Sequence, residues 1–534
     1  MSGRRTSGGA GAWMVAVGLI AITVVFAALL GPGRAASIAL ASITSTLVDD
    51  LYEGHPEGGL PLLSITVSPA ALDSLNSDLP WSGGTNIRST VEVGGVEYPA
   101  RFRYRGALTP SHFLGEKRSF RLTFRDPPPQ FPYRKVNVIN PKSFNMLNNH
   151  MGLWIGGRMG VPVPHDELVR VEVNGTPWGV MELYEQPGDD FLRARGLSDD
   201  RVALYKGDFG PVRDRTLGAR NLLWQDAGHW QFVGRADSTT AHARLGALVR
   251  AVNGHGLSVE ARADSIARLL NMDIYLRYLA ALWVVNTSHI DQYHNQFLVL
   301  DPKDGRFVPV LWDALLMYDQ AGAPRYFIHD ALAYRVLQVP QWRLQRDRLA
   351  WEALKELQRD GLFRARWDEV QDRVRPHLLA DRNKFANVTL RAEDVHRYSI
   401  LHAIRSGQGI QQRASTYWDG LLTRIEQCRV NVQHRGNELV LSTTDECPLE
   451  LSWAANDSTQ VAVLLNGAPL HSIEQGGYHR AVIHRNVAHS SAQPDIYLQD
   501  QQFKVEPLEA TLTFVPSIPA SVRITNAITH APVE

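Results

Sequence analysis

Most features that would announce a function are scarce in this chain. Only two of its 534 residues are cysteine, too few for a cysteine-rich zinc module or a disulfide scaffold. Lysine plus arginine and aspartate plus glutamate number 55 each, so no global charge points to nucleic acid as a partner. There is no Gly-x-Ser-x-Gly elbow, which sets aside a hydrolase built on that nucleophile turn. Internal repeats are absent too. His289 and His294 are five apart with one Asp between them, which is no zinc signature.

The longest apolar run is at the N-terminus. Arg4 and Arg5 precede a stretch from Trp13 to Leu30, close to the length of a membrane-crossing helix. Positive charge ahead of it predicts a single-pass anchor, with the bulk of the chain extracytoplasmic at the cell envelope. Ala35-Ala36-Ser37 resembles a signal-peptidase site, so a cleaved signal and a secreted product is the alternative.

Strand patterns dominate residues 60–215. Leu63–Val67, Ser89–Val93, Ala100–Tyr104 and Ser119–Phe124 are alternating or rich in β-branched and aromatic residues. Asn174-Gly175 is a hairpin turn joining Leu168–Val173 to Trp178–Leu183, and a helix is expected over Asn145–Gly160. Residues 216–427 are mainly helical, with apolar residues at three- and four-residue spacing from Leu269 to Trp283. Residues 428–534 return to short strands and are expected to form a small β-sandwich. Cys428 and Cys447 flank two alternating segments there, and a hairpin would bring them to disulfide distance. Trp453 and Tyr478 are the aromatic candidates for an exposed contact in that region, although core packing suits both.

The densest chemistry lies in two acidic motifs around a hairpin. Ser288-His289-Ile290-Asp291-Gln292-Tyr293-His294-Asn295 leads into the strand Gln296–Leu300. Asp304-Gly305 turns the chain, and Arg306–Leu311 leads to Trp312-Asp313. Such a strand pair places two Asp residues and an Asn at one end, as phosphotransferases place a base and metal ligands.

Taken in order, these residues resemble the spore coat protein H (CotH) kinase-like family. Tyr104-Arg105-Gly106, then Lys117-Arg118-Ser119-Phe120-Arg121, look like two of its segments. Val173-Asn174-Gly175 with Trp178-Gly179-Val180 and Glu185 looks like a third. Asp273, Tyr275 and Leu276, and then Asp291, His294, Asn295, Trp312 and Asp313, look like its helix start and its catalytic and metal motifs. The resemblance implies an α+β, two-lobed, remote protein-kinase-like fold, behind the transmembrane helix and ahead of the C-terminal all-β domain. It also implies a phosphotransferase using ATP and magnesium, with a protein or envelope polymer as the hydroxyl acceptor. Asp291 would be the catalytic base, and Asn295 and Asp313 the metal ligands. Arg105, Lys117, Arg118, Glu185 and Lys206 would serve the nucleotide, with Glu185 the ion-pair partner of Lys117 or Arg118.

Departures from the family pattern support a second reading. Asp291 stands four residues before Asn295 instead of five, leaving Ile290 at the catalytic place without a one-residue deletion. Leu315 stands at the family's second acidic place, and Arg118 replaces one of its paired basic residues. On that reading the protein is catalytically degenerate and acts as a surface binding or assembly module.

Overall fold

The computed structural model describes Ala28 and residues 59–77, 79, 85–106, 117–140, 147–197, 202–208, 221–233, 238–254, 256–287, 289–316, 318, 326–381, 400–455, 461–489, 496–497 and 501–533. Two compact units result. The first draws on the chain up to Leu147, on Leu168–Leu183 and on Val370–Gly409; the second takes the remainder.

Seven strands close the first unit into a barrel. They are β1 (Leu62–Val67), β2 (Ile87–Val93), β3 (Val96–Tyr104), β4 (Phe120–Phe124), β5 (Lys135–Ile139), β6 (Asp166–Val173) and β7 (Thr176–Glu185), ordered β1-β2-β3-β4-β5-β7-β6. Alternation supplies the core: Phe120, Leu122 and Phe124 of β4 all point inward, beside Phe102 and Tyr104 of β3. Closure comes from β1 pairing parallel to β6, with Leu63 opposite Val171. Asn174 adopts a left-handed conformation at the β6–β7 turn, and its Oδ1 accepts from the Val67 N–H at 2.9 Å, pinning the turn to β1.

The architecture departs from the expected fold. In place of two kinase-like lobes behind a membrane helix, the N-terminal strands form a closed barrel. Alternation reports which face of a strand is buried but not its partner, so barrel closure left no local trace. Among the described residues no helix is long and apolar enough to cross a membrane, so a single-pass, membrane-anchored location is not supported. The Trp13–Leu30 run, apart from Ala28, and Ala35-Ala36-Ser37 lie outside the described residues.

In the second unit, β8 (Ala203–Gly207), β9 (Trp230–Phe232), β10 (Gln296–Leu300) and β11 (Phe307–Val310) make a sheet ordered β11-β10-β8-β9. Helix α1 (Met272–Val285) leads to the loop before β10; its Asn271 N-cap accepts from the Ile274 N–H. Beyond β11, α2 (Ala331–Leu337) and α3 (Pro340–Leu354) follow. The C-terminal region is mostly β, and two of its sheets share a core containing Leu441, Leu451, Trp453 and Phe514. Cys428 and Cys447 form the expected disulfide, with Cα atoms 5.7 Å apart. Trp453 is buried against His479, whereas Tyr478 is 37% exposed.

Candidate functional site

Antiparallel pairing of β10 with β11 sets Phe297 opposite Val310, so the segments before β10 and after β11 emerge at one end. There the Asn295 Nδ2 donates to the Asp313 Oδ2 at 3.2 Å and to the His289 carbonyl at 2.9 Å. The His289 Nδ1 lies 2.8 Å from the same Asp313 oxygen. Asn295 and Asp313 both have positive φ, 61° and 55°. Neither ends a helix or turns a hairpin, which are the places Asn174 and Asn286 occupy. Two touching polar residues in a sparsely populated backbone region mark a place where surrounding structure enforces strain, as functional sites do.

Asp291 anchors its own loop. Its Oδ1 accepts from the Tyr293 N–H at 2.7 Å, the His294 N–H at 3.0 Å and the His294 Nδ1 at 2.7 Å. Oδ2 takes part in none of these bonds. Ile290, beside Asp291, is buried.

Behind Asp313, helix packing is unusually close. The helix Asn148–Arg158 lays Gly152 on the backbone of Ala314: a Cβ there would sit 1.7 Å from the Ala314 carbonyl oxygen. Trp312 is held edge-on by Tyr184, at 5.1 Å between ring centroids, and packs on Phe297.

Asp291, Asn295 and Asp313 are thus brought together, with Lys206 on the adjoining strand β8, opposite Phe297. The Lys206 ammonium is paired with Asp208 at 2.5 Å. Arg105, Lys117 and Arg118 belong to the first unit. The Arg118 Nη1 contacts Asn76 and the Tyr104 hydroxyl, while the Arg105 N–H donates to the Ser119 carbonyl. The Lys117 Nζ lies 2.8 Å from the Asp381 Oδ2, with both side chains buried. Glu185 pairs with Arg195 at 3.1 Å, and burial raises its pKa against the pull of that cation. Lys117 and Asp381 are 264 positions apart, beyond the reach of any spacing argument.

Sequence reasoning missed His289 as a site residue, having weighed it only as a zinc ligand. Among the described residues no group of three His, Cys, Asp or Glu side chains could hold a metal ion. Also missed were His329 and Asp330, buried beside the Asp291 loop. Burial, with the Arg346 cation adding, lowers the His329 pKa to about 4. Burial, with the Asp291 charge adding, raises that of Asp330 to about 6.

Asp330 is also the N-cap of α2, accepting from the Ala333 N–H at 2.7 Å. Its folded pKa lies above the ordinary 3.8, so the native state holds this proton more tightly than the unfolded chain. Stability is therefore lost as pH rises from about 4 through about 6. Two pKa units correspond to about 3 kcal/mol. Asp330→Asn keeps a capping oxygen without the charge. Its stability relative to the parent is expected to rise by up to about 3 kcal/mol between pH 4 and pH 8. Urea unfolding across that range measures the difference, and a constant gap would refute the assignment.

Comparison with known proteins agrees with the family resemblance. The family model described as CotH kinase protein matches residues 102–415, more than half of the chain. Inner spore coat protein H of Bacillus subtilis (strain 168) is 22% identical over 339 residues, which cover 61% of this chain and 90% of that protein.

Proposed function

The chain belongs to the CotH kinase protein family, and from that premise we propose that it transfers a phosphoryl group from ATP to a hydroxyl acceptor, a protein side chain being the first candidate. The observation that carries this reading is the Asn295–Asp313 contact, with both residues at positive φ, at the mouth of the β10–β11 hairpin.

The residues suit magnesium. Asn295 turns its amide nitrogen to the His289 carbonyl, leaving its oxygen outside those bonds, and Asp313 adds a partly exposed carboxylate. One carboxylate and one amide oxygen form a hard donor set of the kind magnesium accepts beside phosphate oxygens and water. When bound, the ion would neutralise charge developing on the transferred phosphoryl group.

The remaining work falls to side chains. The Asp291 Oδ2, not engaged by the bonds that fix Oδ1, would take the acceptor hydroxyl's proton as its oxygen forms the new bond to phosphorus. ADP leaves with the electrons of the broken P–O bond. Lys206 would offer positive charge to the phosphates once it exchanges Asp208 for them. His289 would hold the Asp313 carboxylate in place.

Melting of the full chain with magnesium and ATP tests the reading. Ligand at a hundred times its dissociation constant stabilises the native state by about 2.7 kcal/mol, a readable shift. The shift is expected to need magnesium and to vanish in Asp313→Ala. A folded parent protein with no response to any nucleotide would favour the binding-module reading, which the commitment of the Asp291 Oδ1 to its own loop also supports.

A further inference from the structure

A ring of hydrogen bonds reaches the site loop from far outside residues 102–415. The Tyr497 hydroxyl donates to the Trp224 carbonyl at 3.0 Å and also meets the Asn253 Oδ1. The Trp224 indole N–H donates to the Gln296 Oε1 at 3.2 Å. The Gln296 Nε2 donates to the Asp291 carbonyl at 2.6 Å. The ring closes through the next residue, whose Gln292 Nε2 donates to the carbonyl of Ile496, the neighbour of Tyr497, at 2.8 Å.

Gln292 is the junction of this ring. Its side chain is buried, its Oε1 accepts from the Ala331 N–H at 3.2 Å, and its carbonyl accepts from the Leu223 N–H at 3.0 Å. Trp224 and Gln296 are buried as well. A buried network with its members satisfied specifies one backbone arrangement, because each bond broken leaves a polar group without water. The residues it fixes are Asp291 and Gln296, on either side of the Asn295 position.

We propose that Gln292 and Tyr497 are positioning residues: the Ile496–Tyr497 segment of the C-terminal β region braces the loop that carries Asp291 and Asn295. The C-terminal region then belongs to the site's working structure and is not a detachable binding appendage. For catalysis the inference rests on the proposed role of Asp291, since phosphoryl transfer demands near-ångström placement of its acid–base group.

Hydrogen exchange on the full-length protein reads the brace without any nucleotide. Gln292→Met removes the junction's two side-chain hydrogen bonds at similar volume, and Tyr497→Phe removes a single hydroxyl should the first variant fold poorly. Ile473→Ser, at a site 56% exposed on another strand of the C-terminal region, is the control. Amides of 289–296 are expected to exchange at least tenfold faster in both brace variants and unchanged in the control, with barrel and C-terminal sheet amides as in the parent. The same variants should lose the magnesium-dependent ATP shift while Ile473→Ser keeps it. Parent-like exchange at 289–296 in folded variants, or faster exchange spread evenly over the C-terminal sheets, would overturn the proposal. Loss of loop protection in a protein whose parent never responds to nucleotide counts against phosphoryl transfer and leaves the brace standing.

Discussion

Asp381→Ala is expected to cost the protein about 3–5 kcal/mol, the range for removing one member of a buried ion pair. The Lys117 ammonium would be left without the carboxylate oxygen 2.8 Å away, in a place from which water is excluded. That oxygen also accepts from the Val180 N–H at 2.9 Å, so a backbone donor is stranded in the same step. Lys117→Met should cost a similar amount by removing the cation that neutralises the buried acid. The double variant Lys117→Met/Asp381→Asn should recover most of either loss, since both charges are gone and the Asn oxygen can still accept from Val180. Denaturant unfolding of the four proteins closes the cycle. Additive losses, or single losses below about 1 kcal/mol, would show that the two groups do not depend on each other. Gly179 belongs to the same arrangement. It has φ +91°, and a Cβ there would lie 2.0 Å from the Asp381 Oδ1, so Gly179→Ala should break the pair from the other side.

The second large effect is expected at Gly152, which contacts no ligand-bearing side chain in the proposed chemistry. A methyl group would overlap the Ala314 carbonyl at 1.7 Å, and backbone cannot move aside as a flexible side chain does. The helix or the segment after β11 that holds Ala314 must shift, and Asp313 is the adjacent residue. Overpacking of this kind costs typically about 1–3 kcal/mol. The functional loss should be larger than the stability loss, because the displaced segment carries the proposed metal ligand. Gly157→Ala is the matched control on the same helix. Its added Cβ would be 3.2 Å from a Val163 methyl, and removing a helix-interior glycine contributes up to about 1 kcal/mol of stability. Melting with and without magnesium and ATP should therefore show Gly152→Ala destabilised and unresponsive, and Gly157→Ala stable and responsive. Equal behaviour of the two would remove Gly152 from any role in placing Asp313.

Much of the local structure was legible in the sequence because its causes are local. The Leu63–Val67 and Ser89–Val93 patterns lie within β1 and β2, and Ser119–Phe124 covers β4 and the residue before it, where alternate side chains enter the core. Asn174-Gly175 turns its hairpin because both residues tolerate positive φ. The Asn145–Gly160 helix appears at Asn148–Arg158. The cysteine pairing followed from a hairpin whose open end could be counted.

The chain's own order of residues determined the family, the strand and helix positions, the disulfide and the grouping of Asp291, Asn295 and Asp313 about one hairpin. Each of these depends on neighbours within about twenty residues or on an ordered string of motifs. Tertiary structure alone decided that the first strands close into a barrel, through a parallel β1–β6 contact with no hairpin to announce it. It decided as well that Lys117 belongs to Asp381 and Glu185 to Arg195, and that Gln292 is tied to Ile496, 204 positions away. Buried charges and amides accept whatever complementary group the folded core brings to them. The energy of such a contact depends on distance and exclusion of water, neither of which is written in sequence separation.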